Sequence, residues 1–297
     1  MKLGLKNGLI ALLITFLDGS AILACASCGS GGDDPLILYP WEKWKAYTGF
    51  AHTSDFTPID VWGKIGSELA PDSKNTTTVS LGRSFSNRSF ATVTAPYIVN
   101  KRGPYQRSGW GDPMVTARYT LVQQDISEEW IPQVQAIAAV KAGQATSVYD
   151  YEDPARLDVF GSGVPEWRAG VDVWHGIFDW KAGVAQTMTG PLASRRTDFG
   201  VVLNGTTFRS TMSVGYGWGD RGKILAGLNR EQVTKKSIDG DLQRNSEILT
   251  HSAFLTADAK LEHHSRLRLT VSRAAAFAQN KNTSRSDAVT VALMRSF

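Results

Sequence analysis

The chain has 297 residues, of which 42% are hydrophobic, and its formal net charge is +4. Its basic residues are scattered rather than clustered, so a nucleic-acid-binding arm is not expected. No apolar run of 18 residues follows residue 30, which excludes a helical membrane span in that part of the sequence.

The N-terminus has the pattern of a secretory signal peptide. Lys2 and Lys6 precede a short apolar stretch, Leu9 to Leu17, and Ala24-Cys25-Ala26 follows it. A basic start, an apolar centre and an A-x-A end are typical of an exported chain. We therefore predict a signal peptide over residues 1–26, with cleavage after Ala26.

The two cysteines of the chain leave alternatives open. Ile22-Leu23-Ala24-Cys25 also resembles a lipobox, which would place a lipid on Cys25 instead of the cleavage after Ala26. Cys25 and Cys28 have the CxxC spacing of some redox and metal sites. Because this pair spans the predicted cleavage site, accidental spacing is the simpler interpretation. No histidine follows Cys28, so a c-type haem attachment site is excluded.

A Gly-, Asp- and Pro-rich stretch over residues 27–42 predicts a periplasmic tether. The remainder, 43–297, repeats one theme in which alternating residues are followed by a turn or a polar loop. This periodicity predicts strands rather than helices. We expect twelve strands, near 43–52, 75–84, 88–98, 113–123, 130–142, 166–176, 178–189, 196–217, 222–233, 247–258, 263–276 and 286–297.

Short and long connections alternate along this region. Outer-membrane barrels have such an order, with short periplasmic turns and longer outer loops. The segment 196–217 is too long for one span. We expect either a bulge or outer extension around Asn204-Gly205, or two strands. The longer connections are predicted near 53–74, 99–112, 143–165, 190–195, 234–246 and 277–285.

The alternation within strands separates an apolar face from a polar one. In 113–121, for example, Val115 and Tyr119 lie opposite Thr116 and Arg118. A soluble sandwich could also alternate, but these strands have the length of a tilted membrane crossing, about 9–11 residues. Aromatic residues recur near strand ends, as in interfacial girdles. We therefore predict an all-β, closed antiparallel transmembrane β-barrel of about 12 strands. The proposed girdle residues are Trp44, Tyr97, Trp110, Trp130, Trp167, Trp180, Tyr216 and Trp218.

The C-terminal segment resembles the signal that the outer-membrane barrel assembly machinery recognises. Val291, Leu293 and Phe297 share one face, and the chain ends on Phe297. Arg295 interrupts the apolar run, but an arginine near the end of a strand can extend its charge to the interface. We predict Phe297, Leu293 and Val291 as the assembly signal, with that machinery as a partner.

Residues 109–143 resemble the outer-membrane transporter-like family named for the meta pathway of phenol degradation. The similar motifs are Gly109-Trp110-Gly111-Asp112, Ala117-Arg118-Tyr119, Trp130-Ile131-Pro132 and Gly143. Lys141-Ala142-Gly143 stands where the family often has Pro-Thr-Gly. The resemblance implies a barrel associated with uptake of small, often hydrophobic compounds. The resemblance does not identify any binding residue in this sequence. A second Gly-Trp-Gly-Asp, at 217–220, is interpreted as shared turn chemistry.

The sequence matches known catalytic motifs only weakly. His263-His264-Ser265 contains the His-x-Ser of outer-membrane phospholipases, but Arg266-Leu267 follows where Asn-Gly is usual. Asp172 and His175 face opposite sides of their strand. No Ser-His-Asp set, phosphate loop or metal-ligand spacing occurs in the sequence. We therefore predict that the chain is not an enzyme and uses no cofactor or metal.

The polar positions of the predicted strands are mostly basic. Such residues in a pore favour anions, whereas in a narrow barrel they can form Arg–Asp networks that hold the wall together. Both interpretations stay open. The candidate lumen-lining residues are Arg118, Gln135, Lys141, Arg168, Asp172, Lys181, Arg209, Arg266 and Arg268.

The sequence favours a channel or transporter-like barrel in the outer membrane of a Gram-negative bacterium. It would serve passive uptake or efflux of small molecules, hydrophobic or aromatic ones among them, with outer-membrane lipid and lipopolysaccharide around it. The alternative is a barrel whose Cys-containing N-terminal segment acts as plug, metal contact or docking site for a redox partner. An outer-membrane hydrolase is a third hypothesis. The oligomeric state is left open.

Overall fold

The computed structural model describes residues 36–38, 42–65, 71–123, 131–198, 200–218, 221–261 and 264–297. The predicted signal peptide and both cysteines lie outside these residues. Strands and their connections account for the described chain. The strands are β1 Trp44–Ile59, β2 Ser73–Ser86, β3 Ser89–Arg102, β4 Tyr105–Trp110, β5 Met114–Val122, β6 Gln133–Lys141, β7 Glu166–Ile177, β8 Trp180–Pro191, β9 Arg195–Thr197, β10 Gly200–Leu203, β11 Thr207–Gly217, β12 Gly222–Val233, β13 Ser237–Ile238, β14 Asp241–Leu242, β15 Ile248–Lys260, β16 Ser265–Ala274 and β17 Thr283–Ser296.

Twelve of these strands close into one antiparallel barrel. The order runs β2-β1-β17-β16-β15-β12-β11-β8-β7-β6-β5-β3, and pairing of β2 with β3 completes the ring. Closure leaves no free sheet edge, so the backbone groups of the wall bond within it, as a bilayer requires. The predicted fold class and the count of twelve are confirmed.

The outer surface of the barrel carries a continuous apolar belt. Its side chains alternate with the inward ones and stay substantially exposed, which is the pattern of a lipid-facing wall. The described belt includes Val79, Leu81, Val93, Val115, Val140, Val171, Val214, Leu228, Leu255, Leu269, Val271, Val289, Val291 and Leu293.

Aromatic residues border this belt at both ends. Tyr97 and Trp110 meet edge to face with ring centroids 5.3 Å apart, and Trp180 and Tyr216 do so at 5.2 Å. The guanidinium of Arg295 lies 5.4 Å from the centroid of the neighbouring Phe297 ring. Such girdles mark the two membrane interfaces. Trp130 lies outside the described residues.

Short turns, the start of β1 and Phe297 share one end of the barrel. There the amide of Phe297 donates to the carbonyl of Trp44 at 2.9 Å. This end is called the short-turn end below. The long connections lie at the opposite end, called the loop end, which agrees with the predicted alternation.

The structure decides one open alternative and corrects two predicted connections, 53–74 and 99–112, at the loop end. The segment 196–217 divides into β9, β10 and the barrel strand β11, so an outer extension around Asn204-Gly205 replaces a second span. The connection predicted at 53–74 is partly strand, because β1 passes a bulge after Ser54 and continues to Ile59. Likewise β3 continues to Arg102 and forms a hairpin with β4. Hairpins that extend beyond the membrane have no lipid-facing apolar stripe, so periodicity gave them little signal.

Four short strands form a separate sheet in the order β14-β13-β10-β9. They belong to the connections after β8 and β12. The described part of the chain contains no helix with the length and apolarity needed for a membrane crossing.

Candidate functional site

The inner face of the barrel is built from every second residue of each strand. Directly paired residues share a face, so the register carries this alternation from strand to strand. On β1 to β5 and β15 to β17 the inward positions are rich in buried hydroxyls. These include Thr53, Ser80, Thr92, Thr94, Thr116, Thr120, Thr250, Ser252, Thr270 and Thr290.

The nine candidate lumen residues all occupy this inward alternation, on β5 to β8, β11 and β16. Arg118 and Asp172 come from strands two apart and form an ion pair across β6, with Nη1 3.0 Å from Oδ2. Gln135 of the intervening strand donates to Thr120 Oγ1 at 3.2 Å. These side chains are largely buried, which indicates a narrow interior in this region.

Other candidate residues are also held by polar partners. Arg209 Nε donates to Glu231 Oε2 at 3.0 Å, and Lys141 Nζ lies 2.7 Å from Glu166 Oε2. Arg168 Nε donates to Thr189 Oγ1 at 3.1 Å. Lys181 lies near the short-turn end and is exposed. Most of the candidate residues are therefore engaged in ion pairs or hydrogen bonds with other inward-facing side chains.

A denser charge cluster lies toward the short-turn end. The carboxylate of Asp258 receives Arg266 Nε at 2.5 Å on Oδ1 and Arg268 Nη2 at 3.2 Å on Oδ2. Lys223 is the cross-strand neighbour of Asp258 on β12. We call these four residues the Asp258 cluster.

Several buried hydroxyl and carboxylate oxygens of the inner face have no hydrogen-bond partner among the described residues. They are Thr116 Oγ1, Asp172 Oδ1, Thr250 Oγ1, Ser252 Oγ and Thr290 Oγ1. Buried polar atoms without protein partners are usually satisfied by water.

Residues 36–38 enter the lumen at the short-turn end. Leu36 is 0% exposed and Leu38 is 5% exposed, and both pack with Tyr47, Phe90 and Met294. Lys45 Nζ donates to the carbonyl of Ile37 at 3.0 Å and pairs with Glu42 at 2.9 Å. These three residues belong to the segment predicted as a tether, and they narrow the passage.

The β6–β7 connection folds back over the loop end. Asp112 accepts from the amide of Ala145 at 2.9 Å and from the amide of Ser162 at 2.8 Å. Asn100 Nδ2 donates to the carbonyl of Leu157 at 2.8 Å. Thus Asp112, from the motif at 109–112, anchors a loop.

The glycines of the same motif make room for this loop. A Cβ at Gly109 would lie 2.5 Å from the Phe160 ring. Between this loop and the segment after β8 there is an open recess of about 530 Å³, lined by Gly143, Gln144, Ala145, Thr146, Asp150, Gly163, Val164, Pro165, Ala193, Ser194, Arg195 and Arg196.

The sequence missed several residues that shape the interior. Lys223, Glu231 and Asp258 follow the same alternation as the predicted residues, so extending the pattern through β12 and β15 would have found them. The packing of Leu36 and Leu38 had no such signal, because an irregular segment has no periodicity.

Among the described residues, the side chains of the catalytic hypothesis do not come together in one site. His263 lies outside them, and Ser265 begins β16 at the short-turn end. Asp172 and His175 lie on opposite faces of β7. In the described ranges, no group of three His, Cys, Asp or Glu is arranged to hold a metal ion.

Comparison with known proteins relates the chain to solved outer-membrane barrels. No protein-family model and no curated protein sequence matches it. An outer-membrane channel from Pseudomonas putida F1 has a TM-score of 0.72 at 13% identity, covering 90% of this chain and 99% of that chain. This chain therefore has the fold of a multi-pass β-barrel of the Gram-negative outer membrane.

Two further solved structures are more distant. The KdgM porin in complex with disordered oligogalacturonate has a TM-score of 0.48 at 8% identity, covering 84% of this chain and 99% of that chain. The CymD monoaromatic hydrocarbon channel has a TM-score of 0.44 at 9% identity, covering 86% and 89%. Similarities this distant do not indicate which solute this chain transports.

Proposed function

We propose that the chain is a channel of the Gram-negative outer membrane for passive uptake or efflux of small molecules. The observation that carries this proposal is the closed wall with an apolar outer face and a polar inner face. The belt would contact outer-membrane lipid and lipopolysaccharide, and the C-terminal strand would be read by the barrel assembly machinery. Catalysis forms no part of the proposal.

The charge of the inner face supports passage of anions. Basic side chains outnumber acidic ones on the inward positions of the described barrel strands. Exposed charges act over about 8 Å at physiological salt, and a narrow lumen keeps a solute within that distance. The acidic residues here are Glu166, Asp172, Glu231 and Asp258, while the basic set includes the seven Arg and Lys candidates together with Lys45, Lys74, Lys223 and Lys260.

The finer proposal is that the solutes include hydrophobic or aromatic compounds. The resemblance of residues 109–143 to the family named for the meta pathway of phenol degradation supports it, and we propose a relationship with that family. The inner face also offers apolar surface at Phe90, Met114 and Ile137, which are buried inward residues of β3, β5 and β6.

The second candidate function concerns the N-terminal segment. Because Leu36 and Leu38 are buried within the lumen, we propose that this segment acts as a plug at the short-turn end. The contribution of Cys28 to a metal contact or a redox partner stays a prediction, because that residue lies outside the described ranges.

Reconstitution into planar bilayers tests the channel proposal. We expect a small conductance with a reversal potential that favours chloride over potassium, and this preference should fade at molar salt. The substitutions Arg168→Gln and Arg268→Gln should weaken the preference. Arg273→Gln, which removes an arginine paired with Asp287 on the outer face, is the matched control. Absence of both ion and solute flux would contradict the proposal, and a cation preference would contradict the charge argument.

A further inference from the structure

A positive surface and an apolar surface adjoin inside the barrel at the short-turn end. From this juxtaposition we infer that the lumen binds amphiphilic anions there, namely carboxylates with an aromatic or short aliphatic body. The inference rests on the proposed channel function and deepens it by assigning the solute class.

The positive surface is the Asp258 cluster. Arg266 and Arg268 contact the carboxylate of Asp258, whose side chain is only 1% exposed, and Lys223 is the cross-strand neighbour of Asp258. Among the described residues, three basic side chains thus converge on a single carboxylate, so positive charge and N–H donors are concentrated at this end of the inner face. A second carboxylate, delivered by a solute, would compensate that charge through charge-assisted hydrogen bonds, which guanidinium groups form well.

The apolar surface lies on the adjoining strands. It consists of Tyr47, Phe90, Ala292 and Met294, with Leu36 and Leu38 packed onto it. In the register of β16 and β17, Arg266 is paired with Met294 and Arg268 with Ala292. Side chains of directly paired residues are about 5 Å apart at Cβ, so the two surfaces are contiguous.

The leucines of residues 36–38 show how this surface accepts an apolar group. A Cβ at Gly82 would lie 2.5 Å from Leu38 Cδ1, so the absence of a side chain at this wall position gives Leu38 its space. Gly82 does not have a positive φ, which means that backbone conformation does not demand glycine there. The apolar body of a solute would occupy the same space when the leucines leave it. A bound solute and the side chains of Leu36 and Leu38 therefore compete for the same space.

Equilibrium dialysis of the purified full-length protein in a nonionic detergent tests the assignment. The probes are 4-phenylbutyrate, 4-phenylbutanol and 4-phenylbutylamine, which share one apolar body, and a detergent-only chamber corrects for partition. We expect the carboxylate to bind roughly tenfold more tightly than the amine, the order of one charge-assisted hydrogen bond. Equal affinities, or tighter binding of the amine, would overturn the inference.

Variants separate this site from general damage. Arg268→Gln should weaken binding of 4-phenylbutyrate several-fold and leave 4-phenylbutanol unchanged, whereas Arg273→Gln on the outer face should change neither. The pair Leu36→Ser and Leu38→Ser should strengthen binding of both probes, because the competing side chains are gone. Ile37→Ser is its control, since Ile37 is exposed and is not part of the buried cluster. Weaker or unchanged binding in the leucine pair would overturn the competition.

Each variant is first checked for a folded barrel by its faster migration on a detergent gel before boiling. Binding needs no conductance, so the two proposals can fail separately. A protein that conducts but does not prefer the carboxylate refutes only the solute class. A protein that prefers the carboxylate but does not conduct refutes only the channel.

Discussion

The substitution Leu269→Arg distinguishes a lipid-facing belt from an exposed face in water. Leu269 is 45% exposed on the outer face, between Ala257 and Val291. It follows the start of β16 by four residues, which corresponds to about 10 Å along the membrane normal for a rise of 3.3 Å per residue and a tilt near 40°. The apolar band of such barrels is about 25 Å tall, so Leu269 lies near its middle.

An arginine at that depth should destabilise the barrel by about 2–4 kcal/mol. This corresponds to a loss of roughly 30-fold or more in the ratio of folded to unfolded protein. The assay is reversible unfolding in urea or guanidinium chloride with the protein inserted in phospholipid vesicles, followed by tryptophan fluorescence.

Leu261→Arg is the matched control. Leu261 is 53% exposed but lies in the turn after β15, beyond the belt. The same chemical change should cost about 0–1 kcal/mol there. In a water-soluble barrel both leucines would be solvated, and both substitutions would be nearly neutral. Equal and small effects at the two positions would therefore refute the membrane-facing assignment.

Three further predictions follow from the same structure. Arg268→Leu should destabilise the barrel less than Leu269→Arg in the vesicle assay, because Arg266 still compensates Asp258; the reverse order would mean that the inward and outward faces are exchanged. Deletion of Phe297 should lower the amount of heat-modifiable barrel in outer-membrane fractions, and wild-type levels would count against the assembly signal. Asp112→Ala should make the connection 142–165 more sensitive to limited proteolysis in intact vesicles, whereas an unchanged cleavage rate would show that Asp112 does not anchor that loop.

The wall of the barrel could be predicted because alternate residues of a membrane strand face lipid and lumen, so apolar and polar side chains alternate along the sequence. In β5, Val115 and Tyr119 face outward while Thr116 and Arg118 face inward, as their spacing indicated. The predicted count of twelve strands is correct because the first part of segment 196–217 forms short strands outside the ring and only β11 belongs to the barrel.

The interior was less predictable, because its contacts join residues far apart in sequence. The pairing of Arg118 with Asp172 depends on strand register, which a single strand pattern does not specify. Asp112 ends the Gly-Trp-Gly-Asp stretch at 109–112, yet its structural role comes from the loop amides of Ala145 and Ser162. The position of Leu36 and Leu38 depends on tertiary packing alone.

The most direct test of a passage through the barrel is single-channel conductance in planar bilayers with the N-terminal segment altered. The account predicts that the wild type conducts weakly and that the pair Leu36→Gly and Leu38→Gly conducts more, because both side chains lie in the lumen. Ile37→Gly should behave like the wild type, since Ile37 is exposed. An unchanged conductance in the leucine pair, or no conductance in any of the three proteins, would contradict the account.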